Sequence, residues 1–80
     1  MTYTYRTIGT CSTEIQFDLE NNHVYNVQFT NGCNGNLQAV GRLVEGMDAK
    51  EAVARLKGIK CGSKGTSCAD QLATAIELTI

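Results

Sequence analysis

The stretch EIQFDLENNHVYNVQFT, residues 14–30, decides the fold of this chain. Ile15, Phe17 and Leu19 recur at period two, and so do Tyr25, Val27 and Phe29. That alternation predicts two half-buried β-strands. The "ENNH" between them supplies asparagines, which tolerate the positive φ of a tight hairpin. A two-residue turn at Asn21-Asn22 would pair Leu19 with Val24 and Phe17 with Asn26, mixing apolar and polar faces. A three-residue loop from Asn21 to His23 instead pairs Leu19 with Tyr25, Phe17 with Val27 and Ile15 with Phe29. Burial of a single face fixes register, so the three-residue loop is expected. Extended down the hairpin, the same ladder sets Cys11 opposite Cys33 at its open end.

Upstream, MTYTYRTIGT alternates threonine and tyrosine, with Tyr3 and Tyr5 on one face of a further strand. Downstream the period changes to that of helices. NLQAVGRLVEG places Leu37, Val40, Leu43 and Val44 at helical spacing and closes at Gly46. DAKEAVARLKG opens at Asp48, has Glu51 three residues later as a capping box would, and ends at Gly58. Its apolar face is Ala49, Ala52, Val53 and Leu56, with Glu51 and Arg55 spaced as an i,i+4 ion pair. SCADQLATAIELTI carries Leu72, Ala75, Ile76 and Thr79 on one stripe, with Thr66 or Ser67 as its cap and Asp70 in its first turn. Three strands followed by three helices predict an α+β two-layer sandwich, a three-stranded antiparallel sheet with the helices packed on one face.

The 80 residues make a single small domain over 1–80, which buries only about 60–70% of its unfolded surface. Scaffolds of this size often add a disulfide, a metal or a partner subunit. Seven basic residues against eight acidic ones leave a net charge of −1, and only Lys57, Lys60 and Lys64 cluster. Nucleic-acid affinity comes mostly from phosphate neutralisation, so this balance argues against a nucleic-acid partner. No stretch approaches the roughly 20 apolar residues of a membrane span. The N-terminus has no apolar signal core, and a cytoplasmic location is expected.

Four cysteines, Cys11, Cys33, Cys61 and Cys68, are separated by 21, 27 and 6 residues. Structural disulfides are rare in a reducing compartment, where such a set more often binds metal or does redox work. Each falls at an expected element boundary, and loops at boundaries can turn side chains inward while the scaffold holds them. Zinc takes four thiolates tetrahedrally, and a helix N-terminus at Cys68 favours the thiolate form. The chain has no short C-x(2–4)-C pair, so this expectation rests on the inferred fold. Other readings stay open at this point: buried apolar-like thiols, a Cys11–Cys33 disulfide between opposed strands, or a Cys61–Cys68 redox pair at a spacing unlike C-x-x-C. GSKGTS, residues 62–67, lacks the Gly-Lys-Ser/Thr order of a P-loop and follows no strand. His23 belongs to the hairpin loop, about 30 Å up the strand from Cys33, and is not expected to be a ligand. No Ser/His/Asp set, Cys/His set or carboxylate pair assembles, and enzyme chemistry gains no support.

The TSCAD at 66–70, with three further cysteines in a chain of this length, resembles the small four-cysteine TSCPD-domain family. Ala69 stands where the family name has proline, and both suit a first helical turn. Related domains lie at the C-terminus of some ribonucleotide reductases, which implies an accessory role connected to that reaction. A more distant resemblance is to iron–sulfur scaffold proteins of the NifU N-terminal type. It rests on a cysteine before a hairpin (Cys11), "GCNG" with Cys33, "EGMDAKEAV", and a cysteine opening the last helix (Cys68). It implies a two-layer sandwich with the cysteines gathered at one end. Those scaffolds usually have an aspartate where this chain has Thr13 and a histidine where it has Ser67, whereas Cys61 is additional. A closed set of four thiolates suits a fixed zinc better than a cluster meant for transfer, and Lys60 and Lys64 would offset its negative charge. The expected function is therefore a non-enzymatic domain with structural Zn on Cys11, Cys33, Cys61 and Cys68, serving a protein partner. The alternatives are an iron–sulfur cluster carrier on the same cysteines and a thiol redox protein.

Overall fold

The computed structural model describes residues 2–7, 13–31, 34–60 and 65–80. Strand β1 spans Thr2–Arg6, β2 Glu14–Glu20 and β3 His23–Thr30, followed by helices α1 (Asn34–Val44), α2 (Ala49–Leu56) and α3 (Cys68–Thr79). The sheet is antiparallel in the order β1-β2-β3. This is the α+β architecture expected from the two hydrophobic periods.

One sheet face is apolar. Ile15, Phe17 and Val24 are buried beneath Val44, Ala49, Ala52, Leu72, Ala75 and Ile76 of the helices. Tyr3 sits opposite Phe17 in the ladder and its ring stacks on it at 5.6 Å between centroids, the kind of cross-strand pair that stabilises a sheet. The opposite face carries Thr4, Gln16 and Gln28, all exposed.

The hairpin register differs from expectation in its upper half. Glu20 pairs with His23 and Leu19 with Val24, so the turn is the two-residue Asn21-Asn22, with φ of 52° and 64°. Both values suit the twist-matched turn that asparagine favours. Lower down, Ile15 does pair with Phe29, as the three-residue solution requires. A β-bulge between the two halves accommodates both: the register shifts between Gln16 and Asp18. Asn26 takes a φ of 55° there, in the left-handed region that only glycine and asparagine or aspartate visit readily. The inserted residue moves Val27 and Phe29 back to the core face, so Val24 rather than Tyr25 is the buried residue near the turn.

Side chains satisfy the bulge. The Asn26 backbone N–H donates to Glu45 Oε1 at 2.9 Å, and Asn26 Nδ2 donates to Asp18 Oδ2 at 2.9 Å. The Asn26 amide, then the Thr2 hydroxyl, hold the Asp18 carboxyl below its ordinary value. Helix α1 lies against the outer edge of β3: a Cβ on Gly41 would stand 3.2 Å from the Val27 carbonyl oxygen. Covering an edge strand in this way removes a site for stray strand pairing. Leu37 and Val44 are buried with this packing, whereas Leu43, expected on the same stripe, is 75% exposed. The contact through Gly41 sets the helix rotation and leaves Leu43 outside.

Helix α2 is capped by Asp48, which accepts the N–H groups of Lys50 and Glu51 at 3.1 and 3.2 Å. Glu51 pairs with Arg55 at 2.8 Å, the expected i,i+4 contact, instead of closing the box. Gly46 and Gly58, with φ of 77° and 87°, follow α1 and α2 as helix-ending glycines do.

The bulge gives a direct test. Replacing Asn26 with alanine should cost about 1–2 kcal/mol in urea unfolding, the price of forcing a Cβ residue into the left-handed region. Glycine at 26 should cost less, because only the side-chain hydrogen bond is lost. Equal losses for the two variants would contradict the bulge assignment.

Candidate metal centre

Successive elements alternate in direction between two ends of the domain, and this decides where the connections lie. The β2–β3 turn defines one pole. At that pole Gly46 N–H meets the Val24 carbonyl at 2.6 Å and Ala49 N–H meets the Asn22 carbonyl at 2.7 Å. The α1–α2 connection is therefore there too. Ile80, after α3, lines the same shallow pocket as Asn22, Asp48, Ala49 and Lys50. Helix α3 thus ends at the turn pole and begins at the other.

The open pole collects the remaining ends. Thr7 N–H meets the Thr13 carbonyl at 3.3 Å, and Thr13 N–H meets the Thr30 carbonyl at 2.8 Å. Asn31 Nδ2 reaches Thr13 Oγ1 at 3.2 Å, one step beyond the last ladder pair. Helix α2 arrives with Gly58, whose N–H donates to Asp70 Oδ1 in the first turn of α3 at 2.7 Å.

The β1–β2, β3–α1 and α2–α3 connections carry Cys11, Cys33 and Cys61 respectively. These three cysteines lie outside the described residues, as does the expected Cys11–Cys33 pairing. Their flanks, Thr7 and Thr13, Asn31 and Asn34, Lys60 and Gly65, belong to connections leaving the open pole. Cys68 is the first residue of α3 and is half-buried. His23 opens β3 at the opposite pole, with Nδ1 2.9 Å from the Asn21 carbonyl. Among the described residues, no three His, Cys, Asp or Glu side chains converge as metal ligands. No helix among them is long and apolar enough to cross a membrane.

The residues around Cys68 have definite tasks. Ser67 is the N-cap of α3: its side chain accepts the Asp70 N–H at 3.0 Å, and it is only 8% exposed. The Thr66 hydroxyl donates to Asp70 Oδ2, and Gln71 Nε2 donates back to Thr66 Oγ1 at 3.1 Å. The Thr66 hydroxyl, then the Gly58 N–H, hold the half-exposed Asp70 carboxyl below its ordinary value, with Lys57 adding to the effect. Lys57 itself donates to Glu77 at 2.6 Å, and that contact raises its pKa. The sequence foresaw Asp70 as a dipole partner; its bond to Gly58 across the α2–α3 connection had no local signal.

The TSCAD segment is thus a capped helix start with a cysteine at its first position. The family profile described as TSCPD domain matches residues 1–80. This chain belongs to the TSCPD-domain family. Comparison of the TSCPD chain with curated proteins and with solved structures returned no match. The resemblance to iron–sulfur scaffold proteins has no counterpart in these comparisons.

Ser67→Ala should destabilise this TSCPD domain by about 1 kcal/mol, the usual loss for an N-cap serine, whereas Ser67→Asn should retain most of the stability. Chemical unfolding checks both. An alanine variant as stable as the parent would show that Ser67 does not cap α3.

Proposed function

We propose that this TSCPD domain is a small non-enzymatic metal-binding module. In this reading one structural zinc is held by the thiolates of Cys11, Cys33, Cys61 and Cys68, in the reducing cytoplasm, where such thiols persist. The observation that carries the reading is the reversal of each element on the last: every cysteine-bearing connection leaves from one pole, where Cys68 also begins α3. The described flanks of three connections far apart in sequence thereby share one pole, and the proposed site needs no short C-x(2–4)-C pair.

The donor chemistry fits zinc. Four soft sulfur ligands suit a closed tetrahedral site with Zn–S about 2.3 Å. The N-terminal end of α3 favours the Cys68 thiolate, which is the binding form. The ion would cross-link three connections of a domain whose buried core rests on few large side chains, chiefly Phe17, Ile15, Leu72, Ile76 and Val24. Metal binding of this kind contributes directly to folding. The role is that of an accessory domain for a protein partner, and the family resemblance connects that partner to ribonucleotide reduction.

Elemental analysis of protein purified without oxygen tests the reading. One zinc per chain in a colourless protein is expected. A brown protein containing iron and sulfide would replace it with the cluster-carrier reading, and a metal-free protein with a reversible Cys61–Cys68 disulfide would replace it with the redox reading. Alanine at each cysteine in turn should release zinc and lower the melting temperature in all four variants. A cysteine whose replacement leaves zinc content unchanged is not a ligand.

A further inference from the structure

We propose that the outer edge of β1 docks a second copy of this chain, edge to edge, about a two-fold axis at Thr4. The sheet ends at β1 on one side and at β3 on the other. The β3 edge is protected twice, by helix α1 lying against it and by the bulge at Asn26. Strand β1 has neither device. It holds no proline or lysine, its ladder with β2 runs without a register shift, and Thr2, Thr4 and Arg6 are exposed. Among the described residues, no backbone group bonds to its outer side.

The ladder fixes which groups face outward. Thr7 N–H donates to the Thr13 carbonyl at 3.3 Å. Bonded pairs alternate along an antiparallel ladder, so Tyr5 with Ile15 and Tyr3 with Phe17 exchange the next bonds to β2. The N–H and C=O groups of Thr2, Thr4 and Arg6 therefore point away from β2, to the outer edge.

That edge is complementary to itself. An antiparallel copy centred on Thr4 pairs every residue of the strand: Thr4 with Thr4, Tyr3 with Tyr5 and Thr2 with Arg6. Thr2, Thr4 and Arg6 then meet in bonded pairs, as their outward groups require. Tyr3 and Tyr5 meet in non-bonded pairs, where side chains approach most closely. Their half-buried rings would extend the Tyr3–Phe17 stack of one copy into the next. Charges agree as well. Arg6 of one copy stands beside Thr2 of the other, whose hydroxyl donates to the exposed carboxylate of Asp18. Each Arg6 thus approaches an acidic neighbour, and the two Arg6 side chains lie at opposite ends of the ladder. An isologous contact of this kind closes at two copies and joins the sheets into one. The strand has five residues, so the ladder is short and the dimer dissociates on dilution. The contact uses none of the cysteines.

The test uses the full chain, with molar mass read by sedimentation across a concentration series and amide protection by hydrogen exchange. The parent should move from the 8.6 kDa of one chain to twice that mass as concentration rises. The Thr4 and Arg6 amides should exchange roughly tenfold more slowly in the dimer than in the diluted chain, while those of Tyr3 and Tyr5 change little. Thr4→Lys sets like charges opposite each other on the axis, and Thr4→Pro removes an outward N–H that the chain's own sheet does not use. Both should stay monomeric across the series with parental circular dichroism. Thr4→Val, which keeps a β-branched residue, should still dimerise. Thr4→Lys leaves the backbone unaltered and carries the result if proline unfolds the strand. A parent that stays monomeric up to millimolar concentration would overturn the inference. So would a dimer whose Thr4 and Arg6 amides exchange as fast as in the monomer, or one that persists in Thr4→Lys.

Discussion

The constraint on which the rest depends is the burial of a single sheet face under three short helices. A small chain has one apolar layer to hide, and each new element must return across it. Burial of Ile15, Phe17 and Val24 from the sheet against Val44, Ala52, Leu72 and Ile76 from the helices satisfies that demand. The returning path has a consequence for chemistry. Odd-numbered connections gather at one pole and even-numbered ones at the other, whatever their separation in sequence. The described ends of those connections share a pole through topology, with no need for a compact motif.

The two poles are built differently. The turn pole is closed by backbone bonds, Val24 with Met47 and Gly46, Ala49 with Asn22. The open pole adds side-chain bonds to the backbone bonds of Thr7 with Thr13 and Thr13 with Thr30: Thr13 meets Asn31, and Asp70 spans Gly58 and Thr66. Side-chain bonds to exposed or half-exposed groups are individually weak. A pole whose described bonds run partly through polar side chains gains from an added cross-link, and the proposed zinc would supply one.

Much of this was legible in the sequence, and the exceptions have physical causes. The alternation at Ile15, Phe17 and Leu19 and the cap at Asp48 are local signals that read correctly, and of the two candidate caps for α3, Thr66 and Ser67, the structure uses Ser67. The hairpin register was a choice between two regular ladders, whereas the chain uses both, joined by a bulge at Asn26. A third asparagine inside a strand was the available sign, since asparagine tolerates positive φ. Leu43 matched the helical stripe, yet the close approach of Gly41 to Val27 rotates α1 and exposes it. The bond from Asp70 to Gly58 joins residues 12 apart through tertiary packing, which no local pattern encodes. For the candidate site, Cys68 at the first position of α3 was read from its cap, whereas Cys11, Cys33 and Cys61 lie outside the described residues.

The central claim is that four thiolates from one pole surround a single zinc. X-ray absorption at the zinc edge of the purified protein tests it most directly. The account predicts a first shell of four sulfur atoms at about 2.3 Å, with no lighter scatterer. A shell containing nitrogen or oxygen at about 2.0–2.2 Å, or the absence of bound zinc altogether, would contradict it.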